Sequence, residues 1–73
     1  MVDIAKLKSR MALKGYDRQT LTAACKGKGY KIGYNTICAK LSGRSPWTCD
    51  DADMMCDVLD IKDPATKADI FLA

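Results

Sequence analysis

Apolar residues recur at intervals of three and four along nearly the whole chain, which is the period of an α-helix. Ile4, Leu7 and Met11 form the first stripe. Asp3 stands before it as a cap, Lys14 ends it, and Gly15 suits the left-handed position just past a helix end. Asp17 caps a second helix with Leu21, Ala24 and Cys25 on one side. That pattern breaks at Lys26-Gly27-Lys28-Gly29, because each glycine weakens a helix by about 1 kcal/mol. A third helix is expected from about Gly33 to Ser42, with Ile37 and Leu41 as its apolar pair and Gly43 as its stop. Ser45-Pro46 is a connector. Thr48 caps a fourth helix, with Asp50 and Asp51 in the first turn, where negative charge suits the helix dipole. Its inner stripe is Ala52, Met55, Cys56 and Leu59, and Met54 and Met55 read as core filler with one exposed neighbour. Asp63-Pro64 reads as the cap and first residue of a fifth helix that turns Ala68, Phe71 and Leu72 inward.

No alternating run is long enough for a strand; Tyr30 to Tyr34 comes nearest and is broken by glycine. The expected fold is therefore all-α, a single compact domain of five short helices over residues 1–73. At 48% hydrophobic residues, a chain of this length can bury one core without disulfides. Trp47, the single tryptophan, is expected to anchor that core beneath the third and fourth helices.

The net charge of +3 conceals an asymmetry. Residues 1–44 carry ten Lys or Arg against Asp3 and Asp17, a balance of +8, and residues 45–73 carry seven Asp against Lys62 and Lys67, a balance of −5. Such a division fits one face turned to a polyanion and another turned away, or an ordinary solvated surface with uneven charge. Cys25, Cys38, Cys49 and Cys56 read as buried thiols; no two have the spacing of a zinc knuckle and histidine is absent, so no metal is expected. Glutamate is absent too, and Lys26-Gly27-Lys28-Gly29 lacks the lysine–hydroxyl pair of a phosphate-cradling loop. No enzyme activity, cofactor or small-molecule substrate is expected. No stretch is apolar enough to span a membrane, and Met1 to Arg10 carries charges where a secretion signal needs an apolar run, so a cytoplasmic location is expected.

The informative stretch is 17–44: a short helix, a glycine-containing turn and a second short helix, the order of a helix-turn-helix. A helix that enters a major groove about 12 Å wide must carry small and polar groups outward. On a wheel centred on Ile37 and Leu41, the far side holds Asn35, Ala39 and Ser42, with Thr36 and Lys40 at the flanks. Asn can contact adenine with both amide atoms, and Ser or Thr can meet a base or a phosphate.

Tyr34-Asn35-Thr36-Ile37-Cys38-Ala39-Lys40-Leu41-Ser42-Gly43-Arg44 resembles the recognition helix of the Cro and repressor type (XRE-like) helix-turn-helix family of phages, prophages and mobile elements. Lys14-Gly15-Tyr16-Asp17-Arg18-Gln19-Thr20-Leu21 resembles the family's entry into its first motif helix. Ser45-Pro46-Trp47-Thr48, Cys56-Asp57-Val58-Leu59-Asp60-Ile61 and Asp63-Pro64 resemble the fourth helix and tail of phage-encoded members. The resemblance implies a lambda-repressor-like fold and a transcriptional regulator that binds a double-stranded DNA operator, as a weak homodimer or as a monomer that pairs on DNA. The implied DNA contacts are Arg18, Gln19, Lys28, Lys31, Tyr34, Asn35, Thr36, Ala39, Lys40, Ser42 and Arg44.

Asn35 would read bases, Lys40 and Arg44 would meet phosphates, and Arg18 or Gln19 would take the family glutamine's backbone contact. Asn35 has a plainer reading as a polar residue near the helix start, and Lys40 and Arg44 as solvated cations; Tyr34 reads equally as a group that stacks or bonds to phosphate or as a half-buried neighbour of Ile37. Thr22 stands where the family prefers alanine for close packing. The turn is about five residues longer than the family motif, with Lys26 to Lys31 as the excess, so either the first motif helix is longer or the turn bulges. The other reading is a protein-interaction module, of antirepressor or toxin-neutralising type, with the acidic fourth and fifth helices as its contact face. The tail Ile70-Phe71-Leu72-Ala73 reads as an apolar contact between copies or as a closure of the core.

Overall fold

The computed structural model describes residues 2–72. Five helices follow in order: α1 Ile4–Leu13, α2 Arg18–Gly27, α3 Tyr34–Leu41, α4 Cys49–Val58 and α5 Pro64–Phe71. No strand occurs among the described residues. The radius of gyration is 11.0 Å, matching the roughly 11 Å of a close-packed chain of this length. None of the helices is long and apolar enough to cross a membrane.

Side-chain caps set the helix starts. Asp3 accepts from the Lys6 N–H, and Asp63 accepts from the Ala65 N–H ahead of Pro64. Asp17 with Thr20, and Thr48 with Asp51, form reciprocal capping boxes. Each such cap contributes about 1 kcal/mol by satisfying amides that have no partner inside the helix. α3 is the exception, for Gly33 supplies no side chain to its first turn.

The stop of α2 differs from the sequence expectation. The helix runs through Lys26 and Gly27, and it is Gly29, at φ 92°, that turns the chain. The Gly29 N–H donates to Lys26 O at 3.0 Å and the Tyr30 N–H to Cys25 O at 3.1 Å, so the end is a Schellman motif. A glycine inside a last turn is tolerated when the helix is held by packing, and Cys25 is fully buried there. Gly43, at φ 78°, closes α3 in the same way, with the Arg44 N–H on Ala39 O at 2.9 Å.

One core unites the helices. Leu7, Leu21, Ile37, Met55, Leu59 and Ile70 are almost wholly enclosed. α2 packs on α3 and α4, and α5 packs on α1 and α4. The Asp3 N–H donates to Ile70 O at 2.7 Å and ties the start of α1 to the end of α5. Trp47 packs against this core, its ring centroid 5.9 Å from that of Phe71.

Several details depart from the sequence reading. Met54 and Met55 are both buried, because α4 packs against both α2 and α5. In α5, Ile70 and Phe71 face the core, whereas Leu72, at 77% exposure, points outward and Ala68 is half-buried. The helix stops at Phe71, so the 3.6-residue period no longer governs Leu72. Thus Ile70 and Phe71 belong to the core, and Ala73, the rest of that tail, lies outside the described residues, as does Met1. Cys25 and Cys56 are buried and Cys38 is half-buried, but Cys49 is exposed, since the first position of α4 looks outward. No three metal-ligating side chains come together among the described residues.

Candidate nucleic-acid interface

The outer side of α3 is built by exclusion. Ile37, Lys40 and Leu41 are buried, which turns Tyr34, Asn35, Thr36 and Ser42 out to solvent. Cys38 and Ala39 lie half-buried between them, the Ala39 carbonyl taken by the Arg44 and Ser45 N–H groups. The Ser42 hydroxyl donates back to the Cys38 carbonyl. The outward strip is therefore polar and short, with no bulky aliphatic side chain.

α2 supplies the support. Thr22 is buried, and its hydroxyl is satisfied by the Arg18 carbonyl at 2.7 Å, so a polar residue closes the packing without an orphaned group. Arg18 is half-buried and Gln19 is exposed at the start of α2. The Tyr34 hydroxyl meets the Cys38 thiol, which pushes its pKa up, and it lies within electrostatic reach of Arg18 and Asp17. Asp17 itself is held below the usual carboxylate range by hydrogen bonds from Thr20.

Cations bracket the strip. Lys31 is exposed in the turn before α3, and Arg44 is exposed just after it. Neither these two nor Arg18 and Lys26 form an ion pair among the described residues. Lys28 differs, for its ammonium lies 3.1 Å from an Asp57 oxygen. Lys8 and Arg10 are also exposed and unpaired in that sense, but they sit on α1, where Arg10 lines a shallow groove against Thr66 and Asp69 of α5.

Lys40 requires a correction. It is buried at 8% exposure and does not flank the outer strip. Its ammonium is 2.6 Å from an Asp51 carboxylate oxygen and 3.0 Å from Pro46 O, and it stands 5.9 Å from the Trp47 ring centroid. The Trp47 indole N–H in turn donates to Lys40 O at 3.1 Å. Lys40 lies one residue from Leu41 and three from Ile37, so its stem follows the core stripe and only its tip is polar. Burial acting alone would raise the pKa of Asp51, but hydrogen bonds from Lys40 and Thr48 outweigh it and hold the carboxyl below its ordinary value. These contacts brace the end of α3 against the start of α4.

Sequence reasoning passed over the two residues that organise these contacts, Asp51 as a partner of Lys40 and Asp57 as a partner of the turn. Asp51 was legible only as a capping residue, and Asp57 lay 29 residues from Lys28 with no local pattern linking them. Comparison with protein-family models, curated proteins and solved structures gave no match to this chain.

Proposed function

We propose that the chain is a sequence-specific double-stranded DNA-binding domain of the lambda-repressor-like helix-turn-helix type, a transcriptional regulator whose α3 enters the major groove. The observation that carries this reading is the placement of positive charge that makes no ion pair among the described residues. Arg18, Lys31 and Arg44 surround a polar strip of Tyr34, Asn35, Thr36 and Ser42, and Lys26 stands at the end of the supporting helix. Base edges are read by short polar side chains, and register is set by cations on phosphates. Asn35 is the base reader in this scheme, and Ala39 leaves room for close approach. Gln19 joins Arg18 at the phosphate backbone. Lys40 holds the helix in place from behind and makes no contact with DNA.

One short helix reads few bases, so tight binding calls for two copies on half-sites about one helical turn apart. The expected assembly is a monomer that pairs on DNA or a weak dimer, in the cytoplasm where such DNA resides.

The test is binding to a random duplex across a salt series. Four phosphate contacts, from Arg18, Lys26, Lys31 and Arg44, give a slope of about −3.6 in log affinity against log salt. Affinity then falls about 150-fold between 50 and 200 mM salt. Binding indifferent to salt, or no binding, overturns the reading. With the expected slope in hand, selection from random sequences would define the operator.

A protein-interaction module is the second reading, favoured by one observation. An apolar groove of about 700 Å³ runs past Ile4, Pro46, Trp47, Ala52, Phe71 and the exposed Leu72, and includes none of Tyr34, Asn35, Thr36 and Ser42 in its lining. Salt-independent capture of a protein partner, lost in Leu72→Asp, would favour it over DNA.

A further inference from the structure

The turn between α2 and α3 is long but not loose. Tyr30 and Ile32 pack against the core, and Lys31 between them faces solvent. Asp57, on the exposed side of α4, fixes the turn from outside. One of its carboxylate oxygens accepts the Tyr30 hydroxyl at 2.7 Å, and the other accepts the Lys28 ammonium at 3.1 Å. Of the three lysines at this corner, Lys26 and Lys31 make no ion pair among the described residues and Lys28 alone is held.

From this geometry we infer that Asp57 restrains Lys28 from the phosphate backbone, and so sets how many phosphates the α2–α3 turn neutralises. The inference rests on the DNA-binding reading above. A lysine that leaves Asp57 for a phosphate abandons a carboxylate beside a polyanion, so the exchange releases little net charge. The Tyr30 hydrogen bond, meanwhile, keeps that carboxylate from swinging away with the lysine. Hydrogen bonds from Tyr30 first and Lys28 second hold the Asp57 pKa below the usual carboxylate range, so the restraint persists through neutral pH. Asp57 is a positioning residue here, acting on DNA only through Lys28.

The experiment measures affinity for a random-sequence duplex between 50 and 200 mM salt. Asp57→Asn keeps an oxygen that can accept the Tyr30 hydroxyl and removes the charge that holds Lys28. One more neutralised phosphate steepens the slope by about 0.9, which adds about 3.5-fold to the loss of affinity over that range. Lys28→Gln alone should leave the wild-type slope, and Lys28→Gln with Asp57→Asn should return to it. Asp50→Asn makes the same charge change on α4 but frees no lysine, and should leave the slope unchanged. An unchanged slope in Asp57→Asn overturns the inference. So does a steepening that survives Lys28→Gln or that Asp50→Asn reproduces. A wild-type chain that binds no duplex overturns the DNA reading and this inference together; a wild-type chain that binds with the expected slope while Asp57→Asn matches it overturns this inference alone.

Discussion

Nine of the fifteen buried apolar side chains among the described residues come from the part of the chain after Ser45, while α2 and α3 together give four. The charges divide the other way. Lys62 and Lys67, the two lysines of that later part, pair with Asp60 and Asp53. In the earlier part Lys8, Arg10, Arg18, Lys26, Lys31 and Arg44 make no ion pair among the described residues. The four earlier lysines that do pair, Lys6, Lys14, Lys28 and Lys40, all reach across to aspartates of the later part. The acidic part therefore neutralises the cations turned towards it and leaves the outward ones bare. Cations without a carboxylate partner add no ion-pair energy to the fold and stay available to a polyanion, which the proposed function requires.

The comparison breaks first at the core. Met55 on α4 is fully enclosed, so Met55→Ala should cost about 2–5 kcal/mol through lost burial and a cavity. Ser42→Ala on the outer side of α3 should stay within about 0.5 kcal/mol. Urea unfolding of both variants measures this. Equal costs would mean that α3 is as much scaffold as α4.

Lys40 joins the two parts, and its loss should come next in size. A fully buried ion pair broken on one side costs about 3–5 kcal/mol. Here the Lys40 and Asp51 side chains keep 10% and 16% exposure, so Lys40→Ala should cost about 2 kcal/mol. Lys40→Met, which keeps the stem against Trp47, should recover part of it. The Asp51 pKa is lowered on folding, so its stabilising effect is present above the unfolded value of about 3.9 and is lost as pH falls through the lower folded value. The deficit of Lys40→Ala should therefore be full at neutral pH and narrow below about pH 4. A deficit constant down to acid unfolding would show that packing of the stem, not the ion pair, is what Lys40 contributes.

The helix starts were legible because caps are local. Asp3, Asp17, Thr48 and Asp63 each bond an amide two or three residues on, a relation written in adjacent positions. The stripes of α1 and α3 were legible for the same reason. What was not legible depended on contacts far along the chain. Lys40 looked like a surface cation until Asp51 and Pro46, eleven and six residues on, enclosed it. Gly27 looked like a break, because propensity cannot register that Cys25 is fully buried and holds the last turn. Of the candidate interface, the polar strip of α3 could be read from its period, whereas the bare state of its cations depended on where the aspartates fold.

Asn35 separates base reading from mere exposure. It is exposed on α3 and remote from the core, so Asn35→Ala should leave unfolding within about 0.5 kcal/mol of wild type. On the preferred duplex it should cost about 1–3 kcal/mol of binding, and on random duplex almost nothing. Loss by the same factor on both duplexes would make Asn35 a backbone contact, and α3 would then lie in the groove rotated about its own axis, with another side of the helix towards the bases.

The smallest effect tests the comparison most directly. Arg44→Ala and Lys62→Ala each remove one positive charge from an exposed position. Arg44 follows α3 and is unpaired among the described residues, whereas Lys62 sits before α5 beside Asp60 at 3.5 Å. If placement governs binding, Arg44→Ala should make the salt slope shallower by about 0.9, and Lys62→Ala should leave it unchanged. Over 50 to 200 mM salt that is a difference of only about 3.5-fold, so the slopes and not single affinities must be compared. Equal shallowing by both variants would mean that overall charge draws the chain to DNA regardless of face. The bare cations around α3 would then be a property of the whole surface, and the division between the two parts of the chain would concern stability alone.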